Sequence, residues 1–310
     1  MEMSYVDFIL KDPNGICYPG KMVHGSVKLT VGVPIKFKEM LLTFRGKAQV
    51  SWEACDKIYK STQEYFNNVT KLVQKQQGQK EDIKFQKGVY NYPFSIQLPE
   101  GIPASFEGLH RSVRYEMEVT VVRSSASNMV WIAHFTVASE LSLNELPDFS
   151  RQMIASDEKT VCCQRCASGP ITATITTERQ GYVPLEIIKF WVEIRNDSSR
   201  NMKYSEAKFA LRVVYRCGSA TRTADHDLYK LKGESIPPGR TDTWPEHSVC
   251  NPPLPPSLLQ GRSIINLHYF VSITVVPSGP ACRQVAPVEV IIGTIPILRE
   301  GQTQPQPDFK

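Results

Sequence analysis

Cys162, Cys163 and Cys166 contain the Cys-x-x-Cys spacing that two thiolates use to share a zinc ion or to exchange a disulfide. A structural zinc site needs four ligands, and no second close pair of Cys or His follows at a suitable distance. A thioredoxin-type pair needs a βαβ setting that this half of the chain lacks. The cluster therefore reads as an inter-domain linker with small polarizable side chains, and reversible acylation of its thiols is the minor alternative. Gly15-Ile16-Cys17-Tyr18-Pro19-Gly20-Lys21 has the spacing of a phosphate-binding loop. That loop needs Ser or Thr after the lysine and a helix N-terminus facing the phosphate; here Met22 follows, and then a strand pattern, so a turn between strands is expected. Histidines 24, 110, 134, 226, 247 and 268 are dispersed, and there is no nucleophile elbow, His-Glu-x-x-His or glycine-rich dinucleotide turn. His24, His134 and His268 sit at solvent-side positions of alternating segments, and Asp225 and Asp227 around His226 read as a charged hairpin before a ligand group. Pro252-Pro253-Leu254-Pro255-Pro256 could offer a polyproline surface to an SH3-like partner, but Pro99 to Pro103 occupies the matching place earlier, which favours a structural connection. No catalytic, metal-binding or cofactor-binding set emerges.

The elements that must carry these residues follow from length and pattern. The chain has 310 residues, beyond the roughly 250–300 at which one hydrophobic core stops growing, so two domains are expected. With 41% hydrophobic and 22% charged residues it reads as neither disordered nor fibrous. The formal charge of +5 is spread without a basic stripe interleaved with aromatics, which argues against a nucleic-acid partner. Met1 to Leu10 carries Glu2 and Asp7 and does not read as a secretory signal, so the chain is expected in the cytoplasm with its eight cysteines reduced. The sequons at Asn68 and Asn196 lose their meaning for the same reason. Val285 to Leu298 is the longest nearly apolar stretch, broken by Pro287, Glu289, Gly293 and Pro296 and short of the ~20 residues of a spanning helix; membrane contact should be peripheral.

Period-two alternation dominates, which marks half-buried strands. Val23, Val27, Leu29 and Val31 alternate with His24, Ser26, Lys28 and Thr30, and the pattern recurs over 94–98, 115–121, 188–194, 209–215 and 267–275. Many strands without interspersed helices predict antiparallel sandwiches. One segment deviates: Ile58, Thr62, Tyr65, Val69, Leu72 and Val73 are spaced at three or four, which predicts a short amphipathic helix over 61–76, followed by a polar, mobile loop over 75–87.

Two landmarks recur in order, roughly half the chain apart. Tyr18-Pro19-Gly20-Lys21 before Val23 and Val27 matches Tyr182-Val183-Pro184-Leu185-Glu186 before Ile188 and Val192. Ile102-Pro103-Ala104-Ser105-Phe106 before Arg114-Tyr115 matches Leu254-Pro255-Pro256-Ser257-Leu258 before His268-Tyr269. Duplication at this scale predicts two homologous all-β sandwiches rather than a solenoid. The expected division is a first domain over 1–158, a cysteine-containing linker over 159–169, a second domain over 170–298, and a disordered tail over 299–310.

Tyr-Pro-Gly before the first alternating strand, Tyr92-Pro93-Phe94-Ser95-Ile96-Gln97-Leu98-Pro99 and Pro103-Ala104-Ser105-Phe106-Glu107-Gly108 together resemble the α-arrestins, the arrestin-domain-containing proteins. Cys162-Cys163 with Ser168-Gly169-Pro170-Ile171, Gly181-Tyr182-Val183-Pro184, Pro255-Pro256-Ser257 and Ile292-Gly293-Thr294-Ile295-Pro296 resemble that family's second domain. The resemblance spans nearly all of 5–298 and implies tandem arrestin-like, immunoglobulin-like antiparallel sandwiches in a non-enzymatic adaptor. It implies binding to cytosolic tails of membrane receptors, transporters or pumps, with recruitment to the plasma membrane or endosomes. Many such proteins engage WW-domain ubiquitin ligases through Pro-Pro-x-Tyr, which this sequence does not contain, so any link to that machinery is indirect. A retromer-like coat subunit, a thiol-dependent partner and an enzyme with a scattered active site stand as alternatives.

Overall fold

A computed structural model of the chain describes residues 4–12, 14–77, 81–144, 149–160, 169–257, 263–279 and 284–298, and every regular element among them is a strand. The chain forms two compact units, one beginning with Met1–Ser139 and the other with Glu140–Val214.

The first unit runs β1 (Tyr5–Leu10), β2 (Ile16–Cys17), β3 (Met22–Val31), β4 (Ile35–Phe37), β5 (Glu39–Ala54), β6 (Lys57–Gln74), β7 (Ile83–Phe85), β8 (Gly88–Gln97), β9 (Phe106–Gly108), β10 (Arg111–Val122) and β11 (Met129–Val137). One sheet has the order β1-β3-β8 and the other β2-β11-β10-β5-β6, with β9 beside β10. Alternation sends Val27, Leu29, Phe94 and Ile96 from the first sheet against Phe44, Val113, Tyr115 and Val119 from the second, all buried. Phe44 joins the two layers, meeting Phe94 edge-on at 5.4 Å and Phe135 at 5.6 Å. Truncating a fully buried aromatic of this kind costs about 3–5 kcal/mol.

The predicted helix over 61–76 is not formed. These residues belong to β6, paired along its length with β5. The register shifts between Gly46 and Lys47 and between Met40 and Leu41, so Tyr65 and Leu72 are extra residues on β6. Each bulge reverses the phase of the alternation, which turns a period of two into the spacings of three and four read as helical. The predicted polar loop over 75–87 is interrupted by β7, which pairs with β4 and sets Phe85 against Phe37 at 4.7 Å.

The second unit runs β12 (Met153–Thr160), β13 (Pro170–Thr177), β14 (Gly181–Tyr182), β15 (Ile187–Asn196), β16 (Met202–Cys217), β17 (Ala220–Lys232), β18 (Arg240–Cys250), β19 (Ile265–Pro277) and β20 (Gln284–Ile292). Its sheets have the orders β12-β13-β15-β18 and β14-β20-β19-β16-β17. Ile171, Ile175, Phe190 and Ile194 face Phe209, Val213, Tyr269 and Ile273 in the core.

The first domain was expected to extend to residue 158. Instead β12 pairs with β13 from Met153↔Thr177 to Thr160↔Pro170, which makes 153–160 a strand of the second sandwich. The segment before it is also held there. Leu141 O accepts from Thr294 N and Ile295 N, Leu143 N donates to Ile295 O at 3.1 Å, and Asn144 Nδ2 donates to Pro296 O at 2.8 Å. Leu141, Leu143 and Ile291 pack with Phe149, Val183 and Ile297 beneath this clasp.

Candidate partner-binding site

β1 ends its sheet, pairing with β3 on one side and with no strand on the other among the described residues. Lys11 N–H donates to His24 O at 2.9 Å, which sets the phase of the ladder. In an antiparallel pair every second residue exchanges bonds with its opposite, so Ile9, Asp7 and Tyr5 turn their backbone groups toward β3. Val6, Phe8 and Leu10 turn theirs to the open side. The side chains alternate the same way: Tyr5, Asp7 and Ile9 are exposed and Val6, Phe8 and Leu10 half-buried. Such an edge offers main-chain donors and acceptors to an extended peptide, with exposed side chains of mixed polarity beside them.

A second concave feature lies where β10 changes partner. β9 pairs with Arg111–Val113 and β11 with Tyr115–Val121, leaving a fork at Arg114. The fork opens a cavity of about 480 Å³ whose lining includes Ser105, Phe106, Glu107, Arg114, His134 and Thr136. Arg114 donates through Nε and Nη2 to the two carboxylate oxygens of Glu107 at 2.6 and 2.9 Å, which raises the guanidinium pKa further. Ser105 Oγ accepts from Val137 N–H at 2.9 Å. With its hydroxyl engaged by backbone and its charges paired, the cavity provides shape and a fixed ion pair, not an activated nucleophile.

The sequence landmarks have architectural positions. Lys21 N donates to Tyr18 O across the Tyr18-Pro19-Gly20 turn, and Glu186 N donates to Val183 O across the turn containing Pro184 and Leu185. The phosphate-loop match is thus a connection from β2 to β3. Cys17 and Tyr182, the ends of β2 and β14, pair in parallel with Val137 and Ile292. Ser105 exchanges bonds with Val137, and Ser257 with Ile292 in the same way: each serine N–H donates to the partner carbonyl, and each serine Oγ accepts from the partner N–H. Pro103 and Pro255 turn their carbonyl oxygens to the hydroxyls of Tyr115 and Tyr269. Tyr92 and Pro93 lie on β8, Pro93 exposed on this edge strand, where a missing N–H is tolerated, and Phe94 points into the core. Gly293 sits so close to the clasp that a Cβ there would stand 2.6 Å from Leu143 Cγ, and Pro296 accepts from Asn144. Of these residues, Ser105, Phe106 and Tyr115 reach the cavity lining, and none of them lies on the open edge of β1.

Cys162, Cys163 and Cys166 lie outside the described residues, as does the tail over 299–310. Among the described residues, no three His, Cys, Asp or Glu side chains are grouped to hold a metal ion, and no helix is long and apolar enough to cross a membrane. Asp225 and Asp227 do not converge on a ligand. Arg212 donates to both oxygens of Asp225 at 2.8 Å and Lys230 lies 2.6 Å from Asp227, and these cations hold both carboxyls below the usual range. Burial pushes the Cys17 thiol up to about 11. The edge of β1 and the Glu107–Arg114 pair were not singled out by sequence. In β1 the apolar residues fall on both faces, which hides an edge strand, and Glu107 and Arg114 are brought together by the β9–β10 turn.

Residues 6–144 match the family model "Arrestin (or S-antigen), N-terminal domain" and residues 167–297 match "Arrestin (or S-antigen), C-terminal domain". The chain is 29% identical over 306 residues to "Arrestin domain-containing protein 4" of Mus musculus, covering 95% of this chain and 72% of that protein. It is 26% identical over 258 residues to "Arrestin domain-containing protein 1" of Mus musculus, covering 83% of this chain and 57% of that protein. It is also 25% identical over 321 residues to "Arrestin domain-containing protein 17" of Caenorhabditis elegans, covering 97% of this chain and 72% of that protein. Two sandwiches with matching serine clamps, each coinciding with one of the paired family models, place this chain in the arrestin family, among the arrestin-domain-containing proteins or α-arrestins.

Proposed function

We propose that the chain is a cytoplasmic adaptor that binds cytosolic tails of membrane receptors, transporters or pumps and regulates their endocytosis, sorting or trafficking, recruited peripherally to the plasma membrane or endosomes. Arrestin-domain proteins are generally adaptors in trafficking. The observation that carries the reading for this chain is the open side of β1, where Val6, Phe8 and Leu10 present backbone groups beside exposed Tyr5 and Ile9. An extended tail can add as a further strand there, and its side chains would meet alternating apolar and charged positions. Because the 310 residues contain no Pro-Pro-x-Tyr, any contact with ubiquitin ligases would run through another protein. The cysteine-containing segment near 159–169 would serve as a connector and not as a reaction centre.

Proximity labelling in cells with the full chain and its Val6→Pro variant tests this. Proline at position 6 removes an outward N–H and leaves the ladder to β3 intact. The reading expects membrane proteins among the labelled partners and their loss in the variant, with unchanged thermal unfolding. A partner set without membrane proteins, or one indifferent to Val6→Pro, would overturn it.

A further inference from the structure

In the second unit, β17 ends one sheet and β18 ends the other, and a cavity of about 240 Å³ opens between these two terminal strands. Its walls come from Leu231 to Glu234, from Asp242 to Pro245, and from His247. Trp244 and His247 are three apart and would face opposite sides of a regular strand. Here Phe190 pairs with His247 and Val192 with Trp244, so Pro245 and Glu246 together oppose Trp191. This bulge swings both rings to one side, with centroids 5.4 Å apart, and bulges of this kind re-aim side chains at binding sites. Phe190 supports His247 edge-on at 6.0 Å.

The polar groups beside the rings are anionic. Asp242 accepts from the Trp244 indole N–H at 2.9 Å, which fixes the ring. Asp242 and Glu234 have no cationic partner among the described residues, and the Lys232 ammonium is turned to the Tyr204 ring, 4.5 Å from its centroid. Gly233 lines the cavity where any Cβ would collide with Trp244 and Ser205, and the Ser205 hydroxyl is fully buried there without a hydrogen-bond partner among the described residues. Aromatic faces with nearby carboxylates attract a desolvated cation.

We propose that this cavity receives the guanidinium or ammonium of a basic side chain on a partner polypeptide that lies along the open edge of β18. The edge supplies backbone groups, Glu234 and Asp242 supply charge, and Trp244 supplies the stacking face. The site is separate from β1 and does not depend on the adaptor reading.

The test uses the full chain labelled with 5-fluorotryptophan, whose four tryptophans give separable fluorine resonances, with Trp244→Phe assigning one. The probes are a blocked five-residue peptide with a central arginine among glycines, its citrulline counterpart, and free methylguanidine. The arginine peptide should move the Trp244 resonance saturably with a dissociation constant of about 1 mM or tighter. Citrulline should leave it in place, and methylguanidine should bind at least ~10-fold more weakly, since it lacks the backbone contacts. Glu234→Gln and Asp242→Asn should each weaken the peptide about threefold to tenfold, the other three resonances unmoved. An unmoved Trp244 signal at about 10 mM peptide, an equal response to citrulline, or an affinity indifferent to Glu234→Gln overturns the site. Methylguanidine binding as tightly as the peptide overturns the polypeptide partner.

Discussion

The hydroxyl of Tyr269 donates to the main-chain oxygen of Pro255 at 2.8 Å, tying a central strand of the second sandwich to the loop before it. Tyr115 makes the same bond to Pro103 in the first. Both rings are buried, so each Tyr→Phe change leaves a carbonyl with one partner fewer. Tyr115→Phe and Tyr269→Phe should each lower unfolding free energy by about 1–2 kcal/mol in urea titrations, and the double variant should show the sum. A change below about 0.5 kcal/mol would show that these bonds do not support the loops.

Burial raises the pKa of Tyr115, Tyr182 and Tyr269, Tyr182 to about 12. The folded chain therefore holds these protons more tightly than the unfolded chain. Below the unfolded value near 10 all are neutral in both states and stability is unaffected; as pH rises past about 10 the unfolded chain ionises first and stability falls. Equilibrium unfolding between pH 8 and about 11 should show this decline, reduced in Tyr269→Phe.

Gly20 and Leu185 hold the same place in the two Pro-containing turns, with φ of 73° and 71°. Leucine is strained there and is 68% exposed, whereas glycine is not. Leu185→Gly should stay within about 0.5 kcal/mol of the parent, and Gly20→Leu should cost about 1–2 kcal/mol, a Cβ standing 3.0 Å from Glu100 Cγ. Chemical denaturation of both variants checks the pair; a large loss in Leu185→Gly would mean that the exposed side chain has packing value.

Gly293→Val would push into Leu143 and the Leu141 carbonyl, 2.6 and 2.9 Å from the position of a Cβ. Release of the clasp should destabilise the second unit by about 1–3 kcal/mol and open the segment 140–144 to limited proteolysis. Resistance equal to that of the parent would contradict the clasp.

Among the described cysteines, Cys55 and Cys250 are exposed and Cys17 is buried with its thiol raised to about 11. Alkylation followed by peptide mass mapping at pH 8 should modify Cys55 and Cys250 about 10-fold or more faster than Cys17. Comparable rates would mean that β2 opens readily.

The two-sandwich architecture was legible because alternation and duplicated landmarks are local signals: Val23 to Val31 and Tyr115 to Val121 each announce a strand without knowledge of a partner. Where a strand carries bulges, as at Tyr65 and Leu72, the local signal imitates another element, and only the register with β5 resolves it. The boundary was misplaced because Met153–Thr160 has weak alternation, and its membership depends on β13.

By itself, the order of side chains determined that this protein is built of repeated sheets with buried alternate residues, because burial acts on each strand through the pleat of its own backbone. Tertiary structure alone decided which edges stay open and which charges meet. The free side of β1 and the rings of Trp244 and His247 depend on strand order and a bulge, which arise from long-range pairing that no single segment encodes, while Glu107 and Arg114 meet only once the β9–β10 turn has formed.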